Sequence, residues 1–175
     1  PPHRVPIPIV KAGDRIGKTY IPVDPAKIVA IVPCDLPDVT RALAPLDDDA
    51  ERMGNNLVDF LKNEVKHGRL PENLLPLQSG VGNVANAVIN GLVHSDFKNL
   101  SVYTEVIQDG MFDLIDEGKI DMISGTSLSP SPDGLKRFYA NIEKYSKKII
   151  LRPQEISNNG EVALSLIHIS EPTRP

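Results

Sequence analysis

The sequence predicts an α/β fold: a mostly parallel sheet with flanking helices. Two observations carry that prediction. From residue 74 onward, short β-branched runs alternate with segments of helical period. The composition, 41% hydrophobic and 24% charged over 175 residues, is that of a globular chain able to bury a core.

The first 27 residues are rich in Pro and Gly and show no helical period, so an extended segment is expected there, arriving from an upstream domain outside the sequence. "KIVAIV", residues 27–32, has the length and β-branching of a buried strand, and the three-proline stretch that follows reads as an irregular connection. The next segment, residues 47–68, places Met53, Leu57, Phe60, Leu61 and Val65 three or four apart, one apolar stripe on a helix. Acids lead this helix, and Lys66, His67 and Gly68 close it, as the helix dipole and a glycine C-cap favour.

Three strand–helix units follow: "LLPLQS" with "NVANAVINGL", "LSVYTE" with "QDGMFDLIDEG", and "KIDMIS" with "PDGLKRFYANIEKY". A last strand, "KKIILRP", has no helix of its own. The end, "LSLIHISEPTRP", fits none of this periodicity and looks like a translated library adapter. The expected organisation is a linker over 1–27, a partial α/β domain over 28–163 that carries the chemistry, and a non-native tail over 164–175.

A formal net charge of -4, with Lys and Arg spread along the chain, offers no basic patch for nucleic acid. No apolar run approaches the ~20 residues that cross a bilayer, so no membrane partner is expected. The single cysteine, Cys34, follows an apolar run, where a small buried thiol is the ordinary occupant.

In parallel sheets, ligands gather at the carboxyl ends of strands beside helix N-termini. Two stretches fall there. In "QSGVGNVANAV" a strand ends at Ser79, Gly80, Val81 and Gly82, and a helix starts at once with Asn83 and Val84. Two glycines around one residue permit a tight turn with amides free to face an oxyanion or phosphate. The loop lacks the third glycine of a dinucleotide fingerprint and a Walker lysine, so taken alone it is equally a structural turn. In "SVYTEVIQDG", Glu105 ends the next strand. Its carboxylate could cap the following helix, a role Asp109 fills equally well, or serve as a nucleophile or base facing an amide-lined site.

Together "LPENLLPLQSGVGNVANAVINGL", "NLSVYTEVIQDGMFDLIDEGKID" and "KKIILRPQEISNNGEV" resemble the acetyl-CoA hydrolase/transferase family, the class I CoA-transferases. The resemblance covers about residues 13–162. It implies that Glu105 is the nucleophile and that Val81, 24 positions earlier, supplies an oxyanion amide. Gly80, Val81, Gly82, Asn83 and Val84 would then contact coenzyme A. Acyl-CoA and small carboxylates are the implied substrates, with no permanently bound cofactor and no metal. A homodimer in the bacterial cytoplasm or the mitochondrion is implied for the longer protein. A second Gly-rich loop would fall after Val162, so the 175 residues are expected to be nearly inert. Two other readings stay open on the residues alone: a sugar-phosphate isomerase-like enzyme, and a binding module in which Glu105 only caps a helix.

The remaining polar residues have ordinary roles. Ser124, Thr126, Ser127 and Ser129 read as a loop, and Arg152 as one half of a surface ion pair. His3 and His94 have no metal-ligand spacing. Tyr139 and Tyr145, at helical spacing with Phe138 and Ile142, read as core or half-buried packing.

Overall fold

A computed structural model of the chain describes residues 7–36, 38 and 46–163. The expected tail over 164–175, most of the connection after Leu36, and His3 lie outside the described residues. The helices named among the described residues are α1 (Asp48–Lys66), α2 (Asn83–His94), α3 (Asp109–Asp116), α4 (Pro132–Ala140), α5 (Ile142–Tyr145) and α6 (Gln154–Ser157). The strands are β1 (Leu100–Tyr103), β2 (Val106–Ile107), β3 (Ile120–Gly125), β4 (Ser127–Leu128) and β5 (Ile149–Leu151).

Every ladder among the described residues is parallel. β1, β3 and β5 form one sheet in that order, and β2 pairs with β4 in a second, smaller one. The expected α/β class with its parallel sheet is what the chain adopts. The β-branched, two-sided burial of β1 and β3 is the reason: Leu100, Val102 and Ile123 are fully buried, as parallel strands covered on both faces require. The core joins them to Leu92, Ile107, Phe112 and Leu114. Tyr145 is buried and stacks on Phe112 with ring centroids 5.0 Å apart, whereas Tyr139 and Ile142 are exposed, so the expected aromatic packing holds for one tyrosine only.

α1 keeps its expected caps. Asp47 accepts the Ala50 amide at 2.7 Å, His67 is the C-cap, and Gly68 takes φ +70°. The face it buries is the expected one only in part: Leu61 and Val65 of the stripe are half-buried against the core. Met53, Leu57 and Phe60 are exposed, and Ala50, Gly54 and Val58 are buried. Small residues decide this, because they let two helices approach closely. A Cβ on Gly54 would lie 2.6 Å from the Ala87 carbonyl oxygen, and one on Gly91 would lie 2.9 Å from Val58 Cγ2.

Three further expectations are corrected. Residues 27–32 form no strand: Val29, Ile31 and Val32 are exposed, and β-branching without a neighbouring strand to pair with leaves the run unpaired. Cys34, after that uncovered run, is exposed and not buried. The strand expected over "LLPLQS" shrinks to one bridge, Leu77 to Val102, because Pro76 has no amide to donate and Leu74 adopts φ +54°. The N-terminal segment docks on the domain, with Ile9 buried against Tyr103 and Val162.

Candidate active site

The carboxyl edge of the main sheet is built from strand ends that hand the chain from one sheet to the other. Leu77 donates to the Ser101 carbonyl at 2.8 Å and accepts the Tyr103 amide at 2.9 Å, which sets "LLPLQS" beside β1. Thr104 follows, buried, with its amide on the Ser124 carbonyl at 2.9 Å and its hydroxyl on the Ser79 carbonyl at 2.7 Å. The next residue on each side is a candidate: Gly80 after Ser79, Glu105 after Thr104. The geometry brings the Gly-rich loop and Glu105 to one edge of the sheet.

Glu105 sits at a bend between β1 and β2 and is exposed. Its main-chain carbonyl accepts the Thr126 and Ser127 amides at 2.8 and 3.1 Å, so its backbone is held from the β4 side. Its carboxylate makes no hydrogen bond to the described residues. The capping reading is therefore corrected: Gln108 is the N-cap of α3, and no side chain caps that helix. Asp109 does not cap it either. Its carboxylate accepts the Ser131 amide and hydroxyl at 2.8 and 2.9 Å, and so anchors the start of α4.

The loop meets its expected geometry in part. Gly82 adopts φ +135°, which an L side chain rarely tolerates, and its carbonyl accepts the Asn86 amide at 3.0 Å to begin α2. No side chain caps that helix start. Gly80, Val81, Gly82 and Val84 are exposed and Asn83 is half-buried, and a Cβ on either glycine would meet nothing within 4 Å. That open space leaves room for a ligand in front of the loop.

Behind this edge lie groups that the sequence did not single out correctly. Arg152 is buried and not a surface ion-pair partner. Its Nε donates to the Ser124 hydroxyl at 2.6 Å, and its guanidinium donates to the carbonyls of Ala12, at 3.0 Å, and Asp14. Burial pulls its pKa below the ordinary guanidinium value, and carbonyl and hydroxyl acceptors satisfy the charge. Ser124 belongs to β3 and Ser127 to β4, so the expected serine loop is largely strand. Thr104 was the other omission. A β-branched hydroxyl just before a strand-end carboxylate was its signal.

Among the described residues, no cluster of His, Cys, Asp or Glu has the makings of a metal site, and no helix is long and apolar enough to cross a membrane. A cavity of about 750 Å³ lies between Lys62, Glu72, Asp96 and Asn99, at the start of β1. It opens at the opposite edge from Glu105.

None of the protein-family profiles compared matches the chain. Individual proteins do. A succinyl-CoA:acetate CoA-transferase of Clostridium kluyveri is 56% identical over 163 residues, 93% of this chain and 30% of that protein. An acetyl-CoA hydrolase of Neurospora crassa is 52% identical over 162 residues, 93% of this chain and 31% of the other. The chain thus spans about a third of the length of these relatives. Among solved structures, a 4-hydroxybutyrate CoA-transferase of Porphyromonas gingivalis superposes with a TM-score of 0.51 at 21% identity, over 69% of this chain and 30% of that one. RipA of Yersinia pestis gives 0.55 at 20% identity, over 73% and 28%. At such identities these two speak for the fold alone.

Proposed function

The chain belongs to the acetyl-CoA hydrolase/transferase family, and from that premise we propose that it supplies the nucleophile of an acyl-CoA:carboxylate CoA-transferase or acetyl-CoA hydrolase. Glu105 is the nucleophile, and the main-chain amide of Val81 is an oxyanion donor. Gly80, Val81, Gly82, Asn83 and Val84 receive the coenzyme A thioester. The observation that carries this reading is the exposed carboxylate of Glu105 at a strand end, without a hydrogen bond to the described residues and one residue from the bond that ties its strand to the loop.

The Glu105 carboxylate attacks the acyl-CoA carbonyl, the C–S bond breaks, and a mixed anhydride and CoA thiolate result. The thiolate attacks the glutamyl carbonyl, expels the first carboxylate and leaves a glutamyl-CoA thioester on the protein. An acceptor carboxylate runs the same steps in reverse, and water in its place gives hydrolysis. Covalent catalysis of this kind conserves the thioester energy through the transfer. An amide donor at the developing oxyanion lowers such a barrier by ~3 kcal/mol. No metal or resident cofactor takes part in these steps; coenzyme A enters as substrate. The remainder of such an enzyme, including a second oxyanion amide, lies in the two-thirds of the relatives that this chain does not span, and the chain alone is proposed to be nearly inert.

The test exchanges this chain for the matching segment of the Clostridium kluyveri enzyme and assays acyl transfer to acetate and to water. The graft is active if the reading holds, and Glu105→Gln abolishes both activities. A graft whose Glu105→Gln variant retains its rate refutes it. An isomerase reading gains no support from relatives named for CoA chemistry.

A further inference from the structure

The parallel ladder between residues 77–79 and β1 stops at Leu77. Leu77 makes both of its bonds to β1, and the next two would run from the Ser79 amide to the Tyr103 carbonyl and from the Glu105 amide to the Ser79 carbonyl. Neither is formed among the described residues. The Thr104 hydroxyl takes the Ser79 carbonyl at 2.7 Å, and the Glu105 amide has no partner among the described residues. Thr104 is 1% exposed, and its own amide is fixed on the Ser124 carbonyl at 2.9 Å. A side chain thus stands in for the main-chain bond that would have kept Glu105 in the sheet.

We propose that Thr104 is a positioning residue: its hydroxyl ties the Gly-rich loop to β1 while releasing Glu105 from the ladder, and so fixes the loop relative to the carboxylate. This rests on the reading of Glu105 as nucleophile. Three features support it. The hydroxyl satisfies a carbonyl that immediately precedes Gly80, so the loop's entry point is held at the residue before it turns. Release of Glu105 lets the chain cross to β2, where the Thr126 and Ser127 amides take its carbonyl. Gly125 makes the crossing possible, since a Cβ there would lie 2.9 Å from Ile107 Cγ1 and 3.4 Å from the Thr104 carbonyl oxygen.

The test compares Thr104→Val, which keeps the shape and removes the hydroxyl, with Thr104→Ser, which keeps the hydroxyl. In the 175-residue chain, amide exchange at Leu77 is expected to quicken about tenfold in Thr104→Val, the weight of one ordinary hydrogen bond. Thr104→Ser restores it, and exchange in α3 is unchanged throughout. Unchanged exchange at Leu77, or equal acceleration in α3, overturns the proposal. In the graft, Thr104→Val is expected to lower kcat about tenfold with KM within about twofold, and Thr104→Ser to recover it. An unchanged kcat overturns the positioning role. If the unsubstituted graft forms no covalent CoA adduct, the nucleophile reading fails by itself, and exchange at Leu77 still decides whether Thr104 holds the loop.

Discussion

Arg152 Nε donates to the Ser124 hydroxyl at 2.6 Å, with both residues buried, and through Ser124 it stands directly behind the sheet edge that carries Glu105. The Ser124 carbonyl receives the Thr104 amide, and the same guanidinium holds the carbonyls of Ala12 and Asp14 from the N-terminal segment. Replacing Arg152 with Met leaves the buried Ser124 hydroxyl and Ala12 carbonyl, and the half-buried Asp14 carbonyl, without that donor. The expected cost is about 3 kcal/mol in urea unfolding, against about 1 kcal/mol for Ser124→Ala. Equal costs would mean that the guanidinium matters only through Ser124.

Glu105→Gln is expected to leave stability unchanged within about 0.5 kcal/mol, because the carboxylate bonds to nothing among the described residues. A helix-capping carboxylate would cost about 1 kcal/mol on the same change. Thermal unfolding of the two chains separates these outcomes.

The α1–α2 contact sets two glycine substitutions apart. In a helix interior, Gly→Ala ordinarily stabilises by about 1 kcal/mol. At Gly54 the new methyl meets the Ala87 carbonyl, which is backbone and cannot give way, so a net loss of about 2 kcal/mol is expected. At Gly91 it meets a Val58 methyl, so Val58→Ala should relieve Gly91→Ala and leave Gly54→Ala unrelieved. Chemical denaturation of the single and double variants measures both.

Asp116 carries the acid sensitivity of the α3–α5 contact. Burial opposes its ionisation, but bonds from the Lys144 ammonium at 2.5 Å and the Tyr145 hydroxyl at 2.9 Å outweigh it and hold its pKa below the ordinary 3.8. A depressed carboxyl stabilises above its unfolded pKa and loses that stability as pH falls through the folded one. The contribution, about 1 kcal/mol given the partial exposure, is expected to vanish below pH 3.8 and to be absent from Asp116→Asn at every pH. Burial, then the Asp116 carboxylate, pushes the Tyr145 hydroxyl up to about 12. That part is present below the ordinary value of 10 and is lost as pH rises from there toward 12. Unfolding free energies across pH, for the native chain and Asp116→Asn, test both signs.

Much of the fold was legible because its signals are local. The runs around Val102, Ile123 and Ile150 are β-branched and short, and the helices after them carry their own period. That Glu105 and the Gly80–Gly82 loop share one edge of the sheet was legible for the same reason, since each follows a short apolar run. What escaped depends on neighbours. Val29 and Ile31 look like a strand until one asks what pairs with them, and the buried face of α1 is chosen by Gly54 and Gly91 against α2, not by its largest side chains. Arg152 looked like a surface cation because its acceptors, a hydroxyl 28 positions away and carbonyls 140 and 138 away, leave no trace in local sequence. Thr104 had a local signal, a β-branched hydroxyl before a strand-end carboxylate, but its partner at Ser79 lies 25 positions back.

The proposed reaction requires that Glu105 form a covalent bond to coenzyme A. The most direct measurement incubates the grafted enzyme with acyl-CoA, digests it and locates any CoA adduct by mass spectrometry. The adduct is expected on the peptide that contains Glu105, sensitive to hydroxylamine and missing from Glu105→Gln. An adduct on another carboxylate, or turnover with no adduct formed under any acyl-CoA, would contradict it.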